Sequence, residues 1–242
     1  MPAVLIHGVP DTFRVWDTLK EHLSRKDIHT LALPGFGTLV PEGFQATKEE
    51  YVHWIIRQLE EIGEPVDLVG HDWGCILTMR VASIRPDLVR TWAAGSGPLS
   101  ATYEWHPLAK IWQTPGEGEK WMKELDPSEL AEFMAQAGLP LNRGKEAADR
   151  IDDTMKQSIL RLYRSAVNVG AEWQPDLKNA SSPGLVFWGE KDSACPVSFA
   201  HELGRDAAAI RVITLDSDHW VIVQRPAEVA QALEAHWASL AI

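Results

Sequence analysis

Near the middle of the chain, Gly70-His71-Asp72-Trp73-Gly74 places a carboxylate at the apex of a tight turn. Val66-Asp67-Leu68-Val69 leads into it as a short strand, and residues 75–82 lead out with helical character. A sharp strand-to-helix turn lifts its apex side chain out of the sheet and into a cleft. Glycines on both sides of the apex keep the turn free of Cβ clashes. A carboxylate in that place can attack carbon directly and form a covalent ester. It needs no base, because an ordinary Asp is ionised at neutral pH. The backbone N–H of Trp73 points back at the cleft as a donor to a developing oxyanion. Asp is also a common helix N-cap, so the turn alone leaves both roles open.

The groups that would complete such chemistry follow other apolar runs. Strand-like segments are expected over residues 3–6, 28–33, 66–70, 90–94, 184–189 and 211–215, with helical periodicity between them. Thr47 opens a helix with Glu49 and Glu50 in its first turn, and Gly63 closes it. This alternation implies a parallel sheet with right-handed crossovers. It is interrupted over residues 99–180, where helical pieces (119–125, 128–137, 149–166) are broken by Pro107, Pro115-Gly116, Pro127 and Pro140. The cleft of an open parallel sheet lies outside the carboxyl ends of its strands. His7-Gly8-Val9-Pro10, Asp72, Glu190-Lys191-Asp192 and 216–219 should therefore meet at one edge. Asp192 is the expected acid, with Glu190 as its competitor, and His219 is the expected base.

Composition narrows the classes. A formal net charge of −11 over 242 residues argues against nucleic acid and anionic membrane surfaces as partners. No apolar run approaches membrane-helix length, and residues 1–10 lack the basic start of a signal peptide. Cys75 and Cys195 show neither metal-ligand spacing nor a disulfide framework. His22, His29, His53, His201 and His236 show no paired spacing either. The expectation is a cytoplasmic protein with no metal and no cofactor, whose partners are a small apolar substrate and water. Nothing in the pattern speaks to oligomeric state.

The motifs together resemble the α/β-hydrolase fold, and within it the Asp-nucleophile branch of epoxide hydrolases and haloalkane dehalogenases. The resemblance is carried by His7-Gly8-Val9-Pro10, Leu33-Pro34-Gly35-Phe36-Gly37, Gly70-His71-Asp72-Trp73-Gly74, Trp188-Gly189-Glu190-Lys191-Asp192, Asp218-His219-Trp220 and Arg225-Pro226. Asp72, Asp192 and His219 fall in that fold's order of nucleophile, acid and base. Relatives usually carry two further strands before the His-Gly-x-Pro strand, which begins here at residue 3. The resemblance implies an α/β core over residues 1–97 and 181–242. It also implies a helical cap over 98–180, inserted after the fourth strand. Val9 and Trp73 would supply the oxyanion N–H groups, and the Val9–Pro10 peptide would be cis.

The resemblance leaves two activities. An epoxide hydrolase places a proton donor, usually a tyrosine pair, on the cap. Tyr163 matches one such position, and His106 or, more weakly, Tyr103 stands for its partner. A haloalkane dehalogenase would instead receive halide on the indole N–H groups of Trp73 and of Trp105 or Trp112. Val9 occupies the place where some dehalogenases carry Asn, and Trp73 the place where fluoroacetate dehalogenases carry Arg. Trp220 joins Trp73, Trp105, Trp112 and Tyr103 as an expected pocket wall. Epoxide hydrolysis is the preferred reading, ahead of dehalogenation and of a catalytically silent, ligand-binding relative.

Overall fold

A computed structural model describes residues 1–239. Six strands, β1 (Ala3–Ile6), β2 (Ile28–Leu31), β3 (Val66–His71), β4 (Val89–Gly95), β5 (Gly184–Gly189) and β6 (Arg211–Leu215), form one parallel sheet in the order β2-β1-β3-β4-β5-β6. This is an α/β-hydrolase fold. The central strands are buried on both faces, as expected for uninterrupted apolar runs. Their side chains alternate between two cores. Val4, Ile6, Leu68, Val186 and Trp188 pack on one side. Ala3, Leu5, Val69, Leu185 and Phe187 pack on the other. The register sets Ile6 beside Gly70, His71 beside Gly95 and Gly189 beside Leu215, so the carboxyl ends stand level.

The core helices are α1 (Asp17–His22), α2 (Lys48–Ile62) and α3 (Trp73–Ile84), and after β5 α10 (Ser198–Asp206), α11 (Val221–Gln224) and α12 (Pro226–Ala238). A capping box from Thr47 and Glu50 starts α2, and Gly63 ends it with φ 79°. Between β4 and β5 lie α4 (Pro107–Gln113), α5 (Glu117–Glu124), α6 (Pro127–Gln136), α7 (Leu141–Ala148), α8 (Asp153–Ser165) and α9 (Val169–Trp173).

This segment is more helical than the sequence reading allows. Pro107 and Pro127 occupy the first helical turn, where the missing N–H costs nothing, so they start helices and do not break them. The expected helix over 149–166 is the single element α8 and begins four residues later. Asp149 ends α7, and Asp152 caps α8 through a bond from the Met155 N–H at 2.8 Å.

Candidate active site

Asp72 sits between β3 and α3 at φ 55°, ψ −123°, a strained conformation for a residue with a Cβ. The surroundings enforce it. A Cβ on Gly70 would fall on the Gly74 carbonyl, and one on Gly74 would fall on the Ile6 carbonyl. Asp72 occupies the N-cap position of α3 but makes no side-chain capping bond. Its carboxylate turns toward β1, where the Val9 N–H donates to Oδ1 at 2.7 Å. The Val9–Pro10 peptide is cis. Oδ2 lies 3.5 Å from His219 Nε2. Burial works against the Asp72 charge. His219, then His71 and the Trp73 backbone N–H, outweigh it and leave the pKa below the ordinary carboxylate value.

His219 Nδ1 lies 2.9 Å from Asp192 Oδ2. The other Asp192 oxygen accepts the N–H groups of Ala194 at 3.0 Å and Cys195 at 2.8 Å. Asp192 is thus fixed behind the imidazole. Its competitor Glu190 takes the Thr214 hydroxyl at 2.9 Å at the surface. Burial alone would push the His219 pKa down. The Asp192 charge, and hydrogen bonds to Asp192 and Asp72, reverse this and raise it well above the ordinary value. The two carboxylates beside it thus favour the imidazolium form of His219.

These groups open into a cavity of about 310 Å³ whose lining includes Val9, Asp72, Trp73, Tyr103, Trp105, His106, Trp112, Tyr163, His219 and Trp220. Every expected site residue except Asp192, which stands behind His219, reaches this wall. Tyr163 packs its ring against Trp73, Trp105 and Trp112, with centroids 5.3, 5.3 and 4.9 Å away. Burial, and behind it the Asp72 charge, push its pKa well up, so the hydroxyl stays a donor. His106 caps α4, its Nδ1 accepting from the Ala109 N–H at 3.2 Å. Burial lowers its pKa. A neutral ring accepting at Nδ1 carries its proton on Nε2.

The structure narrows two expectations. The Tyr103 hydroxyl donates to the Ala194 carbonyl at 2.9 Å, so it is not a free donor. The Trp105 indole N–H is used by the Val167 carbonyl at 3.3 Å. The indole N–H groups of Trp73 and Trp112 have no protein partner. The cavity wall also contains α6 residues, including Leu130, Phe133 and Met134, that the sequence reading did not assign. Their i, i+3, i+4 spacing marks an apolar helix face but not what that face covers.

Asp11 is a further buried group that sequence reasoning missed. Its Oδ2 accepts the Trp220 indole N–H at 2.7 Å, and Trp220 packs edge-on against the His219 ring at 4.9 Å. Burial raises the Asp11 pKa to about 6, against the lowering effect of the Trp220 bond. The folded value lies above the unfolded one. Stability therefore falls as pH rises between about 4 and 6 and stays lowered above that. Asp11→Asn keeps an acceptor for Trp220 and removes the buried charge. It should raise stability at pH 7 by up to about 3 kcal/mol and change it little at pH 4. Urea unfolding at the two pH values measures this, and no gain at pH 7 would refute it.

The profile described as the alpha/beta hydrolase family matches residues 3–232. Mouse epoxide hydrolase 3 is 25% identical over 266 residues, covering 98% of this chain and 70% of that protein. The (E)-2-((N-methylformamido)methylene)succinate hydrolase of Acinetobacter baylyi is 25% identical over 239 residues, covering 97% and 89%. Among solved structures, a haloalkane dehalogenase from Bradyrhizobium elkani superposes with a TM-score of 0.80 at 21% identity, covering 98% of this chain and 91% of that one. At that identity the likeness concerns the fold. No helix among the described residues is long and apolar enough to cross a membrane.

Proposed function

The chain belongs to the alpha/beta hydrolase family, and on that premise we propose that it is an epoxide hydrolase working through an ester on Asp72, with residues 98–180 serving as the cap. The observation that carries this reading is Tyr163, its hydroxyl kept protonated by burial, in the wall of the same cavity as Asp72. Asp72 Oδ2 attacks an epoxide carbon and the ring C–O bond breaks onto oxygen. Tyr163, aided by His106 Nε2–H, gives that oxygen a proton. General acid help of this kind contributes on the order of 10²–10⁴-fold. The His219 imidazolium then returns a proton to the phenolate.

The ester has no charge, so one of the two carboxylates favouring the imidazolium is gone, and His219 becomes the base for the second step. It takes a proton from water, whose oxygen adds to the ester carbon. The Val9 and Trp73 N–H groups hold the tetrahedral oxyanion on Oδ1. Collapse restores the Asp72 carboxylate, and the carboxyl proton passes to the departing diol oxygen. Asp192 keeps the imidazole oriented throughout.

A single turnover of styrene oxide in ¹⁸O-water tests this. The first diol should carry the oxygen of Asp72, and the label should appear in the peptide containing Asp72. Label in the first diol would exclude the ester.

Haloalkane dehalogenation is the second reading, favoured by the unpaired indole N–H groups of Trp73 and Trp112. A buried donor without a partner costs about 1–3 kcal/mol, and halide would satisfy both. However, Trp16, Trp92 and Trp237, which do not line the cavity, carry equally unpaired N–H groups. An orphan indole in this chain therefore does not specify halide. Trp112→Phe separates the readings. Diol formation from styrene oxide should stay within about threefold, since packing is kept and no proton path is lost. A dehalogenase would lose most halide release from 1-bromobutane with the same change.

A further inference from the structure

The loop carrying His219 is held from two sides. On the sheet side, His71 Nε2 lies 2.9 Å from the His219 carbonyl, and its ring packs 5.2 Å from the His219 ring. On the opposite side, the turn between α6 and α7 closes over the loop. The His219 N–H donates to the Ala137 carbonyl at 3.2 Å. Gln224 in α11 ties the two segments together. Its Nε2 donates to the Gly138 carbonyl at 2.8 Å and to Asp218 Oδ2 at 3.1 Å, while its Oε1 accepts the Asp218 N–H at 2.7 Å. Gly138 has φ +99°, and a Cβ there would stand 2.5 Å from Asp218 Cβ and 2.6 Å from Gln224 Nε2. The approach is therefore possible for glycine alone.

We propose that Gln224 is a positioning residue for His219, locking its loop to the α6–α7 turn so that the imidazole stays between Asp192 and Asp72. The kinetic consequence rests on the ester cycle proposed above. Residues 216–220 lie in neither helix nor strand, and within this loop the Asp218 N–H is held by the Gln224 side chain. The imidazole must keep 2.9 Å to Asp192 and 3.5 Å to Asp72 at once. A drift of the backbone moves it off both. Helix α6 also walls the cavity through Leu130, Phe133 and Met134. A substrate pressing on that face therefore presses on the segment bonded to the His219 backbone. Gln224 touches no reacting atom.

Gln224→Met keeps length and removes all three bonds, and Gly138→Ala strains the same contact from the other segment. Two readouts apply: the NMR titration of the His219 imidazole, and separate rates of ester formation and ester hydrolysis. In both variants the His219 pKa should move down toward its ordinary value as the carboxylates lose contact. Ester hydrolysis should slow roughly 10- to 100-fold, the cost of a misplacement of about 1 Å. Ester formation should change by less than about threefold, because the Val9 N–H holds Asp72 independently of the loop. If Gln224→Met does not fold, Gly138→Ala gives the same two readouts. An unchanged His219 titration overturns the proposal, including the case where both chemical steps slow together with a lower Tm. Should no aspartyl ester form in any variant, His219→Gln included, the ester chemistry fails, and the titration still decides the role of Gln224.

Discussion

His219→Gln should take up one equivalent of epoxide and then stop. In the proposed cycle the first step uses Asp72 Oδ2 and the Tyr163 proton, and the base enters only when water must be activated. Removing a general base costs on the order of 10²–10⁴-fold in the step it serves. Intact mass should rise by the mass of one epoxide, and the adduct should map to the peptide holding Asp72. The substitution also removes the imidazolium that holds the Asp72 pKa down against burial. The Asp72 pKa should therefore rise, and more of the carboxylate is protonated at a given pH. Adduct formation in the variant should be faster at pH 8 than at pH 6 for that reason. Protein that stays unmodified at pH 8, after long exposure to an epoxide the wild type hydrolyses, would remove Asp72 as nucleophile.

The residues on which this prediction depends are legible in the sequence because each follows an apolar run. Once 3–6, 66–71, 184–189 and 211–215 are taken as parallel strands, Val9, Asp72, Asp192 and His219 must meet, since all strands present the same end. The choice of Asp192 over Glu190 is less visible, because both lie in one turn. It is decided by the Ala194 and Cys195 N–H groups that hold the Asp192 carboxylate. Asp11 and Gln224 are not legible at all. Asp11 meets Trp220 across 209 positions, and Gln224 meets Gly138 across 86. Neither pairing leaves a periodic or local signature. Of the helices between β4 and β5, α5, α6 and α8 are legible from their periodicity, while α4 is hidden by Pro107, which reads as a breaker until the chain direction shows it in a first turn.

Tyr163→Phe should slow ester formation by about two orders of magnitude or more while leaving ester hydrolysis nearly unchanged. The substitution keeps the ring that packs against Trp73, Trp105 and Trp112, so the cavity wall survives and the lost group is the proton donor alone. His219 and the Val9 N–H carry the second step without Tyr163. The defect therefore belongs in the pre-steady-state burst and not in ester decay. His106 sets how large the defect is. Its Nε2–H remains a donor in the single variant, so Tyr163→Phe together with His106→Asn should cost far more than Tyr163→Phe alone. Asn is chosen because it can still cap α4, a role whose loss to Ala would cost about 1 kcal/mol and confuse the comparison. Halide leaves carbon without a proton, so a dehalogenase would scarcely feel Tyr163→Phe but would suffer from Trp73→Phe. Burst rates of both variants on styrene oxide and 1-bromobutane decide between these outcomes. Full-rate epoxide alkylation by Tyr163→Phe would take away the main ground for preferring epoxides.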